Sequence, residues 1–206
     1  MHICLLGATG RTGHKLLELA LQEGHTVTAL VRNPEKLSIH HDRLHTVTGD
    51  VLKLRDVQAA MSNCDAVISA LGTDGNQTLS KSMALIIQAM EQARIKRIVT
   101  IGTAGILQAR SQPSLYRFQS SESRRRSTTA AEDHLQAYLY LNASNLDWTI
   151  VCPTHLVDGE ATHHYRAERD QLPIDGMKIS TGDTAHFAYE EVCKSIYNAS
   201  RVGIAY

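Results

Sequence analysis

Gly7-Ala8-Thr9-Gly10-Arg11-Thr12-Gly13 decides the fold of this chain. An apolar run, Ile3-Cys4-Leu5-Leu6, precedes it, and an amphipathic stretch from His14 to Gln22 follows. The order is strand, glycine turn, helix. Glycine has no Cβ, so such a turn lets the backbone approach a phosphate closely. The helix behind it offers unpaired N–H groups and the positive end of its dipole to a pyrophosphate. The spacing, G-x-x-G-x-x-G, is looser than the G-x-G-x-x-G fingerprint. The strand before it and the helix after it are what make it a dinucleotide signature.

Outward from that turn, apolar runs alternate with helical patterns. Strands are predicted at His2–Leu6, Thr26–Val31, Leu44–Thr48, Ala66–Ala70, Arg97–Ile101 and Trp148–Val151. Several are continuous apolar runs, as in strands covered on both faces. Helices are predicted at Thr12–Glu23, Lys53–Met61, Leu79–Ala93, Thr129–Ser144 and Thr184–Ser200. In the third, Leu79, Met83, Ile86, Ile87 and Met90 form one apolar stripe. The alternation predicts an α/β fold, a single Rossmann-like domain over residues 1–206 whose doubly wound parallel sheet carries helices on both faces. Two polar or irregular stretches, about 104–127 and 154–178, interrupt the rhythm. Both follow the carboxyl ends of strands, where open α/β sheets bind ligands, and both read as substrate-side loops.

Composition narrows the function classes. Lys plus Arg and Asp plus Glu number 21 each, so the formal net charge is zero and nothing favours a nucleic-acid partner. The four cysteines, Cys4, Cys64, Cys152 and Cys193, show no C-x-x-C spacing and read as buried, reduced thiols of a cytoplasmic protein. No signal peptide is expected, because the first residues enter a strand directly. No apolar run approaches the ~18–20 residues that span a bilayer. The pairs His40-His41 and His163-His164 do not suffice for a metal site, because adjacent loop histidines need ligands from elsewhere. Arg124-Arg125-Arg126 reads as a solvated face, and so does His134 in Ala131-Glu132-Asp133-His134.

The second strand bears on the choice of dinucleotide. An acidic residue near its end suits the ribose 2′-OH of NAD; a cation there suits the 2′-phosphate of NADP. This strand ends Leu30-Val31-Arg32-Asn33, so Arg32 favours NADP(H) over NAD(H), with Arg11 as a second candidate for the phosphate. Glu35 follows closely and keeps NAD in view.

The ordered segments GATGRTG, LVRNPEKL, VTGDVL, VISALGT, RIVTIGTAGIL and SNLDWTIVCPTHL closely resemble the atypical short-chain dehydrogenases, above all their NmrA-like and biliverdin/flavin reductase branch. The resemblance runs through nearly the whole chain. It implies that Gly7, Gly10 and Gly13 form the phosphate turn, with Thr9, Arg11 and Thr12 donating to the pyrophosphate. It implies Arg32 at the 2′-phosphate, Asp50 and Val51 beside the adenine, and Ala70, Leu71 and Gly72 along the nicotinamide ribose. Thr103 would lie beside the nicotinamide, and Pro153, Thr154 and His155 would close over it. Lys178 to Ala185 would be a late strand and the start of the last helix.

Catalysis is less legible than binding. Most short-chain dehydrogenases pair a tyrosine with a lysine four residues on, which lowers the tyrosine pKa for proton relay. Here Tyr138 is followed by Asn142, Tyr140 by Ser144 and Tyr116 by Ser120. That pattern argues against ordinary carbonyl chemistry. Hydride transfer from NADPH to a flavin, quinone or biliverdin-like acceptor needs placement more than a strong acid. Thr103 and His155 are the candidates to orient such an acceptor. The alternatives are a non-catalytic NADP(H)-binding regulator of the NmrA-like type and, more weakly, a nucleotide-sugar epimerase or dehydratase. The expected partner is a small-molecule acceptor; monomer and homodimer both remain open.

Overall fold

The computed structural model describes residues 1–123 and 127–206; the run Arg124-Arg125-Arg126 lies outside the described residues. The glycine turn joins β1 (His2–Leu6) to α1 (Arg11–Gln22). There follow β2 (Thr26–Val31), β3 (Leu44–Thr48), α2 (Leu54–Ala60), β4 (Ala66–Ser69), α3 (Thr78–Ala93), β5 (Arg97–Ile101) and α4 (Thr129–Asn142). The C-terminal part contains β6 (Asp147–Pro153), β7 (His155–Val157), β8 (Arg166–Arg169), β9 (Lys178–Ser180), α5 (Thr181–Lys194) and β10 (Ser200–Ala205).

Eight strands make the main sheet in the order β3-β2-β1-β4-β5-β6-β10-β8. From β3 to β10 every pairing is parallel. The sequence reverses direction between β3 and β4, on either side of β1, which is the crevice where open α/β sheets take ligands. Strand alternation divides the core. Cys4 and Leu6 turn to one face with Val67, Ile98 and Ile150, under α2, α3 and α4. Ile3 and Leu5 turn to the other with Ala29, Val99 and Val151, under α1 and α5. The stripe foreseen on α3 is buried at Leu79, Met83, Ile86 and Met90 and half-buried at Ile87.

Several expectations need correction. The sheet is not wholly parallel, because β8 pairs antiparallel with β10 at its edge. The helix predicted to run from Thr184 to Ser200 begins at Thr181 and ends at Lys194, and the chain from Ser200 is a buried strand. Ser195, at φ +51°, is the left-handed cap that stops it. The 154–178 stretch is not wholly loop: it contains β7 and β8, and β7 pairs with β9 in a small second sheet. Cys4, Cys64 and Cys152 are buried, but Cys193 is exposed.

Candidate functional site

Two backbone approaches shape the glycine turn. Gly7 adopts φ +86°, and a Cβ there would lie 2.6 Å from the Ala70 carbonyl oxygen, at the end of β4. A Cβ on Gly13 would lie 2.1 Å from the Gly7 carbonyl oxygen. Any side chain at either position would push α1 away from the sheet. Gly10 caps α1 with no side-chain hydrogen bond, and its own amide donates to the Gly7 carbonyl at 3.0 Å. The N-terminus of α1 is therefore left without a side-chain cap, as an anion site requires.

A cleft of about 1070 Å³ opens from this turn across the carboxyl ends of the central strands. Gly10, Arg11, Thr12, Ala70, Leu71, Gly72 and Pro153 line it, as do Thr103 and His155. Gly72 leaves open space where a Cβ would stand, with no atom within 4 Å. An uncapped helix N-terminus, open space at Gly72 and a cleft of this volume fit a dinucleotide. Gly7, Thr9 and Gly13 do not line the cleft; the two glycines act through turn geometry. Arg32, Asp50 and Val51 do not line it either and occupy the ends of β2 and β3.

The two candidate arginines for the 2′-phosphate differ in their surroundings. Arg32 is exposed and makes no hydrogen bond or ion pair among the described residues. Arg11 donates to Asp158 at 3.0 Å, and one turn along α1 Lys15 donates to Glu160 at 2.6 Å. These pairs tie α1 to the segment after β7. Asp50 accepts from the Leu52 amide at 2.9 Å, and its own amide donates to Asp56 at 2.9 Å, which shapes the turn into α2.

Thr103 caps a short 3₁₀ turn, its Oγ1 accepting from the Gly105 amide at 3.3 Å. Its hydroxyl is thus tied to its own strand end while the residue borders the cleft. His155 opens β7 and is exposed. The segment that follows is anchored by Asp183. That buried carboxylate accepts from the Thr162 amide and hydroxyl and the His163 amide, each at 2.8 Å, and from the Tyr206 hydroxyl at 2.7 Å. Burial alone would raise its pKa, but these donors outweigh burial and hold it below the usual carboxylate range.

Tyr138, one of the tyrosines weighed for proton relay, does not line the cleft. Its ring meets Trp148 edge-on at 5.8 Å and carries the Arg201 guanidinium 4.6 Å above it. No tyrosine lines the cleft among the described residues.

Sequence reasoning missed His134, Arg110 and Arg117, which all line the cleft. For His134 a signal existed. Ala130, Ala131 and His134 fall at helical spacing on α4 and share the cleft wall. Its neighbour Asp133 is buried and accepts from the Ser80 amide at 3.0 Å and hydroxyl at 2.6 Å, capping the start of α3. For the arginines no periodicity was available, because both lie in irregular chain. Among the described residues no group of three or more His, Cys, Asp or Glu side chains converges as a metal site. No helix of the described residues is long and apolar enough to cross a membrane.

Comparison with known proteins agrees with this geometry. The profile of the NAD(P)H-binding family matches residues 7–194, and the chain belongs to that family. YwnB of Bacillus subtilis, itself uncharacterized, is 25% identical over 193 residues, 91% of this chain and 89% of its own. A Bacteroides thetaiotaomicron structure provisionally described as an epimerase is 30% identical, with TM-score 0.88, covering 100% of this chain and 96% of that one. ChuY, an anaerobilin reductase of Escherichia coli O157:H7, is 25% identical, with TM-score 0.81 over 100% and 97% of the two chains. Against plant cinnamoyl-CoA reductases this chain spans about a third of their length.

Proposed function

We propose that this member of the NAD(P)H-binding family is an NADPH-dependent oxidoreductase that passes hydride to a flat, conjugated acceptor. The observation that carries the reading is the continuity of the cleft. The wall formed by Gly10, Gly72, Thr103 and His155 runs on without a break into an apolar wall of Phe118, Leu172, Ile174 and Met177. A planar ring system can lie on such a wall. The bound nicotinamide would supply the hydride.

The chain's own residues would place and shield the reactants. Gly72 leaves room beside the ribose, and Pro153 and His155 border the same space. Thr103, already bonded to Gly105, would orient an acceptor through its remaining hydroxyl proton. The cleft lacks a lysine-paired tyrosine, which suits an acceptor that takes its proton from water. ChuY, a reductase of similar size and fold, supports an acceptor of this type. The unengaged guanidinium of Arg32 supports NADPH over NADH.

A second reading, an NADP(H)-binding regulator without turnover, is favoured by the packing of the half-buried Tyr138 under Arg201, away from the cleft lining. An epimerase, which the Bacteroides relative suggests, would need an acid other than tyrosine in this cleft. The test is NADPH oxidation by purified protein with FMN, riboflavin, quinones and linear tetrapyrroles. The oxidoreductase reading expects turnover with at least one of them. Tight NADPH binding with no turnover of any would establish the regulator instead.

A further inference from the structure

The acceptor half of the cleft carries two arginines that the hydride-transfer reading does not use. Arg117 donates through Nη1 to Glu122 at 2.7 Å and through Nη2 to the Glu122 carbonyl at 3.5 Å, and its Nε bonds nothing among the described residues. Arg110 donates through Nε and Nη2 to the Leu172 carbonyl at 3.2 and 2.9 Å, and through Nη2 also to Glu168. Its Nη1 bonds nothing among the described residues. Each guanidinium thus keeps donors in hand at the cleft wall.

Each guanidinium has one carboxylate partner, Glu122 for Arg117 and Glu168 for Arg110, and neither pair uses all of the arginine's donors. Glu122 is gripped from its other side by the Ser111 amide at 2.8 Å and hydroxyl at 2.9 Å. Glu168 lies on β8, and its side chain is 39% exposed. Asp175, the remaining acid of the wall, is exposed at a loop tip. Burial weakens the hold of Arg117 on its proton; the charge of Glu122 opposes that, and the nearby charge of Arg110 adds a smaller push in the same direction as burial. The donors left over can take a further acceptor, and the planar forks of arginine suit phosphate or carboxylate oxygens. Beside them stand Phe118, Ile174 and Met177, the last two 62% and 64% exposed despite their apolar chains. An apolar shelf next to two guanidinium groups matches a ring system with an anionic arm.

We propose that the acceptor carries an anionic group, phosphate or carboxylate, and that Arg117, with Arg110 beside it, binds that group at the acceptor end of the cleft. The proposal rests on the reductase reading for the ring, but not for the anion.

FMN and riboflavin share one ring and differ by a phosphate, so they separate the two. With wild-type protein, kcat/KM for FMN should exceed that for riboflavin about tenfold or more, as expected of a charged hydrogen bond. Arg117→Gln should bring the ratio towards one. Glu122→Gln, which frees Arg117, should raise it; a merely structural role for the pair would lower FMN turnover in both variants. Flavin fluorescence quenching by the NADP⁺-loaded protein reads binding apart from turnover. Equal turnover of the two flavins overturns the anion site and leaves the reductase reading standing. Selective binding of FMN that Arg117→Gln abolishes, without turnover, upholds the anion site and removes flavin as the acceptor of the reductase reading. Absence of both binding and turnover overturns the anion site and removes flavin as the acceptor.

Discussion

Arg32 and Arg11 show how one residue type divides into two roles. Both are candidates for the 2′-phosphate on sequence grounds, because each sits beside a motif whose chemistry is known. Sequence could not say that Asp158, 147 residues away, would engage Arg11. That contact depends on where β7 leads the chain. Arg32 keeps its full donor set, so it should carry the NADPH preference. Arg32→Ala is expected to weaken NADPH binding about tenfold or more, with NADH binding little changed. Fluorescence titration of both nucleotides checks this; equal losses for the two would assign Arg32 another role. Gly7 and Gly13 were legible for a different reason, since close backbone approach admits only glycine and the turn announces it.

At the scale of elements, continuous apolar strands and striped helices could be read almost to the residue. β1, β2, β3 and β5 fall where their patterns place them. The failures lie where local pattern loses to tertiary context. Ser200–Ala205 contains Arg201, whose guanidinium is satisfied by the Ile106 carbonyl at 2.6 Å and by Asp170 at 3.1 Å, so a charged residue sits inside a buried strand. β7 and β9 have three residues each, too few for period-2 alternation to show. Asp183 joins these elements, and its donors come from the β7–β8 connection and from the last residue. Because its folded pKa is depressed, its contribution is present at neutral pH. That contribution is lost as pH falls from about 4, the unfolded value, through the lower folded value. His186 is also depressed, by burial and then by the neighbouring His163. A lowered histidine stabilises above its unfolded pKa, so its share fades earlier, as pH drops below about 6.5. Asp183→Asn should cost about 2–4 kcal/mol at neutral pH and flatten the acid limb of the stability profile near pH 4. Urea unfolding across pH measures both, and an unchanged acid limb would count against the anchor.

For the whole molecule, the order of strands and helices fixes where a ligand can go, and the glycine turn and the β3/β4 reversal meet at the same crevice. The end of the cleft beside the glycine turn, with Gly10, Arg11, Thr12 and Ala70 to Gly72, could therefore be located from sequence alone. At the other end only the two loops, 104–127 and 154–178, could be named and not their lining residues, because Arg110, Arg117 and Leu172 are brought together by the pairing of β8 with β10 and by a hydrogen bond across 62 residues of sequence. His134 lay between these cases: its helical spacing was visible, but not the face it would present. The proposed hydride chemistry depends first on a dinucleotide seated at the α1 N-terminus, and the proposed NADPH preference on its 2′-phosphate meeting Arg32. Calorimetric titration of the purified protein with NADPH and with NADH tests that most directly. One NADPH per chain, bound about tenfold or more tighter than NADH, is the predicted result. No binding of either nucleotide, or equal affinity for both, would contradict it.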